Sequence, residues 1–196
     1  MIVIQEKFNN PKLPSDLYWF NEPKIWMIEN GKLVLLPEKT DFWSKTHYGF
    51  TFDNGHCLFH KTTGDFVLRT AVNFFPTHQY DQAGLMVRID QDNWLKTSVE
   101  FENESLSRLG VVVTNFGFSD WSTQDFDPKI QEIELTVEKT GMDYIISFRI
   151  EKGEWSQMRI AHLHKSSDLI QCGLYACCPI DTGFRAEFKF LEIKSK

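Results

Sequence analysis

Two neighbouring β-strands are predicted by the stretch DQAGLMVRIDQDNWLKTSVEFE, residues 81–102. Successive residues of a strand point to opposite faces of a sheet. One face of this pair is therefore mainly apolar, with Ala83, Leu85, Val87 and Ile89 followed by Leu95, Thr97, Val99 and Phe101. The other face is chemically richer, with Gln82, Gly84, Met86 and Arg88 followed by Trp94, Lys96, Ser98 and Glu100. The pattern predicts a sandwich core on one side and the floor of a polar groove on the other.

Strand-like runs of the same kind recur along the whole chain, separated by turn residues. They are predicted at residues 24–27, 32–36, 66–74, 108–114, 131–138, 144–151, 157–162, 172–178 and 184–193. Glu29-Asn30-Gly31 indicates a hairpin, because Asn and Gly tolerate positive φ. Only residues 166–170 resemble a short helical turn. Short strands with one apolar face must either pair into two packed sheets or close into a barrel. Of the two we predict the first, an all-β, single-domain antiparallel β-sandwich of jelly-roll type over residues 1–196.

Composition narrows the classes of function. The net charge is −6 and no Lys/Arg run occurs, which argues against binding to nucleic acid. No apolar run approaches the roughly 20 residues that a membrane helix needs. The first residues, MIVIQEKFNNPKLP, lack the basic and apolar regions of a signal peptide. The four cysteines do not form a disulfide framework, so we predict free thiols and a cytoplasmic protein.

Several short motifs occur together in a characteristic order. They are DQAGLMVR (residues 81–88), WLK (94–96), VE (99–100), VVT (112–114), SDWS (119–122) and GLYACCP (173–179). With these motifs the chain, from residue 19 onwards, resembles the domain-of-unknown-function family of the yeast regulation-of-enolase protein. The resemblance implies a concanavalin A-like lectin/glucanase fold with a concave groove face, and it leaves the activity open. The family name implies a metabolic enzyme as a partner.

The groove face is the first candidate ligand site. Planar polar groups beside aromatic rings suit a sugar, whose hydroxyls take hydrogen bonds while its apolar face stacks. The predicted ligand-binding residues are Arg69, Gln82, Met86, Trp94, Lys96, Glu100, Asp120, Trp121, Tyr175 and His60, with Trp94 and Trp121 as stacking platforms. The alternative is a solvated sheet face held by cross-strand pairs such as Lys96–Glu100 or Arg69–Glu100.

A second candidate is Ser119-Asp120-Trp121-Ser122, which we place in a long aromatic and acidic loop over residues 115–128. Loops carry function more often than the elements they connect, and a Trp beside an Asp suits ligand capture. The alternative is an Asx-turn or cap around Ser119 and Asp120, with Trp121 packed as support.

Catalysis has weaker support in the sequence. Glycoside hydrolysis needs two carboxyl groups, about 5–5.5 Å apart for retention or roughly 6.5–9.5 Å for inversion. The pairs Glu100/Glu102, Glu102/Glu104, Glu132/Glu134 and Asp125/Asp127 have suitable spacing along a strand. The Glu-x-Asp-x-x-Glu strand of laminarinase-type enzymes is missing, and no base or helix N-terminus activates Cys177 or Cys178. The sequence therefore leans away from an enzyme.

No metal or cofactor is predicted. His56 and His60 flank Cys57, and His162 and His164 share a strand face, which could suit a metal ion. The spacings of established metal motifs are missing, so surface histidines are the simpler interpretation. The leading hypothesis is thus non-catalytic binding of a carbohydrate or other small polyhydroxylated metabolite. The alternatives are a regulatory protein that binds a metabolic enzyme, and a glycoside hydrolase of unusual carboxylate geometry.

Overall fold

The computed structural model describes all 196 residues and contains strands but no helix. The strands are β1 Ile2–Glu6, β2 Tyr18–Phe20, β3 Ile25–Glu29, β4 Lys32–Leu36, β5 Phe42–Ser44, β6 Thr51–Asp53, β7 His56–Thr62, β8 Phe66–Phe75, β9 Gln82–Asp90, β10 Asn93–Asn103, β11 Leu106–Asn115, β12 Phe118–Phe126, β13 Glu132–Thr140, β14 Asp143–Arg149, β15 Ser156–His162, β16 Ile170–Cys177 and β17 Arg185–Ser195. No helix that could span a membrane is present.

Two large antiparallel sheets form a sandwich, as predicted. The outer sheet has the order β15-β14-β13-β8-β17-β4-β3, with β1 paired to β17. The groove sheet has the order β12-β11-β10-β9-β16-β7-β2. Their facing sides enclose a core of 36 buried residues, which includes Leu85, Val87 and Leu95. The alternation of β9 and β10 is confirmed, because their apolar sides enter this core.

Local turn chemistry also agrees with the sequence. Asn30 and Gly31 join β3 to β4 with φ angles of 52° and 69°, the left-handed conformations that a two-residue hairpin turn requires. The helical turn predicted at residues 166–170 is wrong. There the Ser167 hydroxyl donates to the Leu169 carbonyl at 2.7 Å and accepts from its amide at 3.3 Å. Such local side-chain bonds compete with helix formation.

The predicted loop at residues 115–128 is also wrong, because most of it is β12, an edge strand paired along the length of β11. Only a tight turn at residues 115–118 separates the two strands, with Phe116 and Gly117 in the left-handed region. Trp121 lies directly opposite Val112. An edge strand that is polar on both faces lacks clear apolar alternation, and the sequence pattern therefore resembled a loop.

A third, two-stranded sheet consists of β5 and β6 and covers part of the groove sheet. We call residues 42–53 the capping hairpin. Its side chains join those of the groove face in a second core of nine buried residues, which includes Phe42, Trp94 and Tyr175. The sandwich therefore has a partial third layer on this side.

Candidate functional site

The capping hairpin is wedged onto the groove sheet by its first aromatic residue. The Phe42 ring packs 5.9 Å from that of Trp94 and 6.4 Å from that of Tyr175, centroid to centroid. Gly55 permits this approach, since a Cβ there would lie 2.2 Å from the Phe42 ring. This part of the groove face is filled by protein.

An ion pair holds the other strand of the hairpin. Arg88 Nη1 and Nη2 donate to the two carboxylate oxygens of Asp53 at 2.6 and 2.7 Å. The Arg88 side chain is only 6 % exposed, and its guanidinium lies 4.6 Å from the centroid of the Phe20 ring. A buried guanidinium needs such a bidentate partner.

Another part of the groove face forms a cleft of about 360 Å³ beside the hairpin. It is lined by Asp41, Phe42, Trp43, Tyr48, Phe50, Phe52, Tyr80, Gln82, Lys96, Glu100, Val112, Trp121, Pro179 and Ile180. The lining thus combines polar groups of β9 and β10 with aromatic groups from the hairpin. This mixture is typical of a small-molecule site.

The polar floor of the cleft is internally bonded and therefore held in place. The Gln82 side-chain oxygen accepts hydrogen bonds from Lys96 Nζ at 2.7 Å and from the Tyr175 hydroxyl at 3.2 Å. The Lys96 ammonium also lies 3.5 Å from Asp41 Oδ1 and is only 5 % exposed. Because it has three protons to donate, it can still bond to a ligand oxygen.

Glu100 is the most perturbed acid of the cleft. Burial above all, together with the nearby charges of Asp41 and Glu102, raises the pKa of its carboxyl group to about 8. The Lys96 ammonium and Arg108 act in the opposite direction and are outweighed. At neutral pH the group is therefore mainly a neutral acid that can donate a hydrogen bond as well as accept one.

Aromatic rings form the walls. On the hairpin, the Tyr48 and Phe50 rings stack with their centroids 5.6 Å apart, and Phe52 follows at 5.2 Å from Phe50. On β12, the Trp121 ring also lines the cleft and lies over Gly110, where a Cβ would approach the indole nitrogen to 2.7 Å. Flat apolar surfaces of this kind suit a ring-shaped ligand with apolar faces.

Four predicted site residues line this cleft, and three others lie beneath it or beneath the hairpin. Gln82, Lys96, Glu100 and Trp121 are in the lining. Tyr175 is fully buried beneath Gln82, and Met86 and Trp94 are buried by the hairpin. The expectation that Trp94 offers a stacking face at the rim is wrong, because Phe42 packs against its ring and its indole N–H donates to the Gln91 carbonyl at 3.1 Å.

Arg69, Asp120 and His60 lie away from the cleft. Arg69 is on β8 of the outer sheet, where its guanidinium pairs with Glu134 and Glu192. A cross-strand pair of Arg69 with Glu100 is therefore also excluded.

The other two misplaced residues belong to strands of the groove sheet but point away from its groove face. Asp120 alternates with Trp121 along β12 and pairs with Arg159 of the outer sheet at 3.0 Å. His60 alternates with the groove-facing Phe59, and its Nδ1 lies 3.3 Å from the Asp16 carbonyl.

The carboxyl pairs suggested by sequence spacing do not meet in the cleft. Glu102 accepts from Gln79 at 3.0 Å outside the lining, and Asp125 is an exposed partner of Arg108. Glu132 and Glu134 belong to the outer sheet. The two carboxyl groups of the cleft are instead Glu100 and Asp41. No group of three or more His, Cys, Asp or Glu side chains is placed to hold a metal ion.

Side-chain alternation does not predict the hairpin side of the site. The segment FWSKTHYGFTF, residues 42–52, contains five aromatic residues around Gly49. Its strands have three residues each and lie outside both large sheets. The sequence feature that points to this side is the high density of aromatic residues in a segment without strand periodicity. It indicates an element that covers the sheet or forms one wall of a ligand site.

Comparison with known proteins identifies the family of this chain and supports its fold. Residues 19–196 match the family model described as "Protein of unknown function (DUF1349)". The chain is 39 % identical over 173 residues to Regulation of enolase protein 1 of Saccharomyces cerevisiae, covering 87 % of this chain and 85 % of the relative.

Solved structures agree with the sandwich. A functionally unknown protein from Saccharomyces cerevisiae superposes with a TM-score of 0.85 and 36 % identity, over 93 % of this chain and 97 % of that one. The Bacteroides ovatus protein named Xyloglucan PUL GH43B superposes with a TM-score of 0.78 and 17 % identity, over 98 % of this chain and 39 % of that one. At that identity the second likeness shows the fold alone.

Proposed function

The chain belongs to the DUF1349 family, whose description specifies no activity, and we propose from its cleft that it binds a carbohydrate or another small polyhydroxylated molecule. The observation that carries this proposal is the pairing of a fixed polar floor, formed by Gln82, Lys96 and Glu100, with aromatic walls in one cleft. In this proposal the protein recognises the ligand and does not transform it.

The donor and acceptor set suits hydroxyl groups. A hydroxyl can accept from the Lys96 ammonium and at the same time donate to the carbonyl oxygen of the Glu100 carboxyl. Trp121 and the hairpin aromatics would cover the apolar faces of the ring. The fold shared with the protein named Xyloglucan PUL GH43B is compatible with this ligand class and adds no residue-level support.

A thermal-shift and calorimetry panel tests the proposal. Neutral monosaccharides, sugar alcohols, sugar phosphates and short oligosaccharides are added to the purified chain, because a ligand that binds only the native state raises Tm. We expect a saturable shift with one sugar class, and loss of binding in Lys96→Met and Glu100→Ala. Lys189→Met and Glu132→Ala, an ion pair on the outer sheet, are the matched controls. If no member of the panel binds at millimolar concentration, the proposal fails.

A second candidate function is binding to a metabolic enzyme. The relative named Regulation of enolase protein 1 suggests the partner class, and an exposed aromatic turn offers a surface. Phe116 and Phe118 are 63 % and 59 % exposed, and the His164 ring stacks 6.0 Å from that of Phe116. Exposed aromatics of this kind are enriched at protein interfaces. A cytoplasmic location, also part of this proposal, would place the protein with such a partner and is tested by cell fractionation.

The two functions are separable by mutation. Pull-down of purified enolase with the wild-type chain, with Phe116→Ser/Phe118→Ser and with Lys96→Met tests the partner proposal directly. Partner binding through the turn predicts loss in the double variant and retention in Lys96→Met. Equal capture by all three proteins would contradict a role for the turn.

A further inference from the structure

The capping hairpin crosses the part of the groove sheet that runs from β9 to β12. One row of side chains runs across four neighbouring strands of this sheet, because each residue lies opposite the next in the strand register. The row consists of Arg88 on β9, Trp94 on β10, Thr114 on β11 and Ser119 on β12. The hairpin contacts three of them: Asp53 pairs with Arg88, Phe42 packs on Trp94, and the Ser44 amide donates to Ser119 Oγ at 2.9 Å. This row is therefore unavailable to any ligand.

The hairpin is also anchored beyond this row. Ser44 Oγ donates to the Gly117 carbonyl at 2.7 Å. At the base of the hairpin the Asp41 amide donates to Asn54 Oδ1 at 3.0 Å, and the Asn54 amide donates to the Asp41 carbonyl at 3.2 Å. A segment held at its base and across three strands acts as a fixed wall.

Other residues bound the cleft on the side where β9 begins. The cleft is also lined by Tyr80, two residues before β9, and by Pro179 and Ile180, shortly after β16. Small-molecule pockets typically measure about 300–1,000 Å³, so the cleft, at about 360 Å³, is near the lower limit. Its size suits one sugar ring and is too small for several consecutive units.

From these walls we infer that the cleft accepts a single sugar unit, free or at the end of a chain, and that the capping hairpin excludes the interior of a polysaccharide. The inference rests on the proposed carbohydrate function and adds the specificity-determining element. The unit would lie over Lys96 and Glu100 and be flanked by Trp121 and the hairpin aromatics. Further units of a chain would leave the cleft towards solvent and make few contacts.

Titration calorimetry with monomers and linear hexamers of the same sugar tests this. D-glucose, D-xylose, D-galactose, D-mannose and L-arabinose are used as monomers, with β-1,4-linked hexamers where they exist. We expect the wild-type affinity for a hexamer to exceed that for its monomer by no more than about threefold, because each tenfold gain requires about 1.4 kcal/mol of new contacts. Binding of the monomer alone would identify a free sugar as the ligand, and equal binding of both would identify a chain end.

An unlatched variant tests the hairpin itself. Phe42→Ala/Asp53→Ala/Arg88→Met removes both the aromatic contact with Trp94 and the ion pair without leaving a buried charge, and Arg185→Met/Glu29→Ala removes an ion pair of the outer sheet as the control. We expect this unlatched variant to bind the hexamer about tenfold more tightly than its monomer, since the row over Arg88 and Trp94 is no longer covered. The control variant should have the same ratio of hexamer to monomer affinity as the wild type. Thermal unfolding checks that both variants are folded.

The outcomes separate the two proposals. A wild-type chain that binds hexamers more than about tenfold more tightly than monomers would overturn the single-unit inference and leave carbohydrate binding intact. If the unlatched variant keeps the wild-type ratio of hexamer to monomer affinity, the proposed role of the hairpin is overturned. If neither protein binds any of these sugars, the carbohydrate function fails and the single-unit inference fails with it. The wild-type comparison does not depend on the folding of any variant.

Discussion

The groove face of β9 and β10 has a covered half and an open half. Arg88 and Trp94 lie under the capping hairpin, whereas Gln82, Lys96 and Glu100 form the floor of the cleft. Both halves come from the same two strands and point the same way. What separates them is a segment some forty residues earlier in the chain, which fills one half with Phe42 and leaves the other open.

The difference shows how one sheet face can serve two purposes. In the covered half, the buried Arg88 guanidinium has a bidentate carboxylate partner and the aromatic rings pack against one another, so no buried charge is left without a partner. In the open half, Lys96 and Glu100 are almost as deeply buried, yet Glu100 is kept uncharged and no bidentate partner is provided for it. Polar groups held in this way are typical of a binding site.

The largest expected effect on stability comes from removing the Phe42 ring. Phe42→Ala should lower the free energy of unfolding by about 4 kcal/mol, because it leaves a cavity beside Trp94 and Tyr175. Phe52→Ala, on the same hairpin but 45 % exposed, is the control and should cost less than about 1 kcal/mol. Urea unfolding measures both. Equal losses would contradict the division into covered and open halves.

The ion pair gives the next largest effect. Asp53→Ala should cost about 3 kcal/mol, since it leaves the Arg88 guanidinium buried without a partner. Arg88→Met/Asp53→Ala should recover at least half of that loss, because no charge remains buried. Urea unfolding of the two proteins is the measurement. If Arg88→Met/Asp53→Ala is no more stable than Asp53→Ala, the ion pair stabilises the fold by more than neutralising the buried Arg88 charge.

In the open half, Glu100 should make stability depend on pH. Its pKa is raised from 4.5 to about 8 by burial, so the folded protein binds this proton more tightly than the unfolded chain does. The resulting stability is complete below pH 4.5 and is lost as the pH rises to about 8. A tenfold difference in proton affinity corresponds to about 1.4 kcal/mol, and water in the cleft reduces the net effect, so we expect a loss of roughly 2 kcal/mol.

Glu100→Gln should therefore flatten this part of the profile and be more stable than the wild type near pH 8. Urea unfolding at several pH values measures the slope, and Glu132→Gln removes a carboxyl group on the outer sheet as the control. A wild-type slope retained in Glu100→Gln would assign the pH dependence to another group. Ligand binding that uses the neutral acid as a donor should weaken as the pH rises through about 8, where the folded protein loses this proton.

The smallest effect distinguishes the two tryptophans. Trp121→Phe should weaken binding of the sugar selected by the panel by about 1 kcal/mol, through the loss of ring area that stacks on the sugar. Trp94→Phe should leave binding nearly unchanged and lower stability instead, because its ring is packed under Phe42. Calorimetry and urea unfolding on both variants separate these outcomes. Equal losses of affinity would contradict the assignment of Trp94 to the covered half.

Side-chain alternation predicted part of the site and failed on the rest for a definite reason. It placed Gln82, Lys96 and Glu100 on one face correctly, because period-two alternation is a local property of a strand. It placed Arg69 on that face as well, although β8 pairs with β13 and β17 in the outer sheet. Alternation states which residues share a side of a strand, and it does not state which sheet the strand joins.

Local sequence patterns were sufficient to predict the β-sandwich, the apolar and polar sides of β9 and β10, and the hairpin turn at Asn30 and Gly31. Each of these follows from side-chain alternation or from turn chemistry. Three contacts became visible only in the folded chain: Phe42 covers Trp94, Asp53 neutralises Arg88, and Asp41 joins Glu100 in the cleft. These contacts join segments distant in sequence, and long-range packing leaves no periodic signal in the chain.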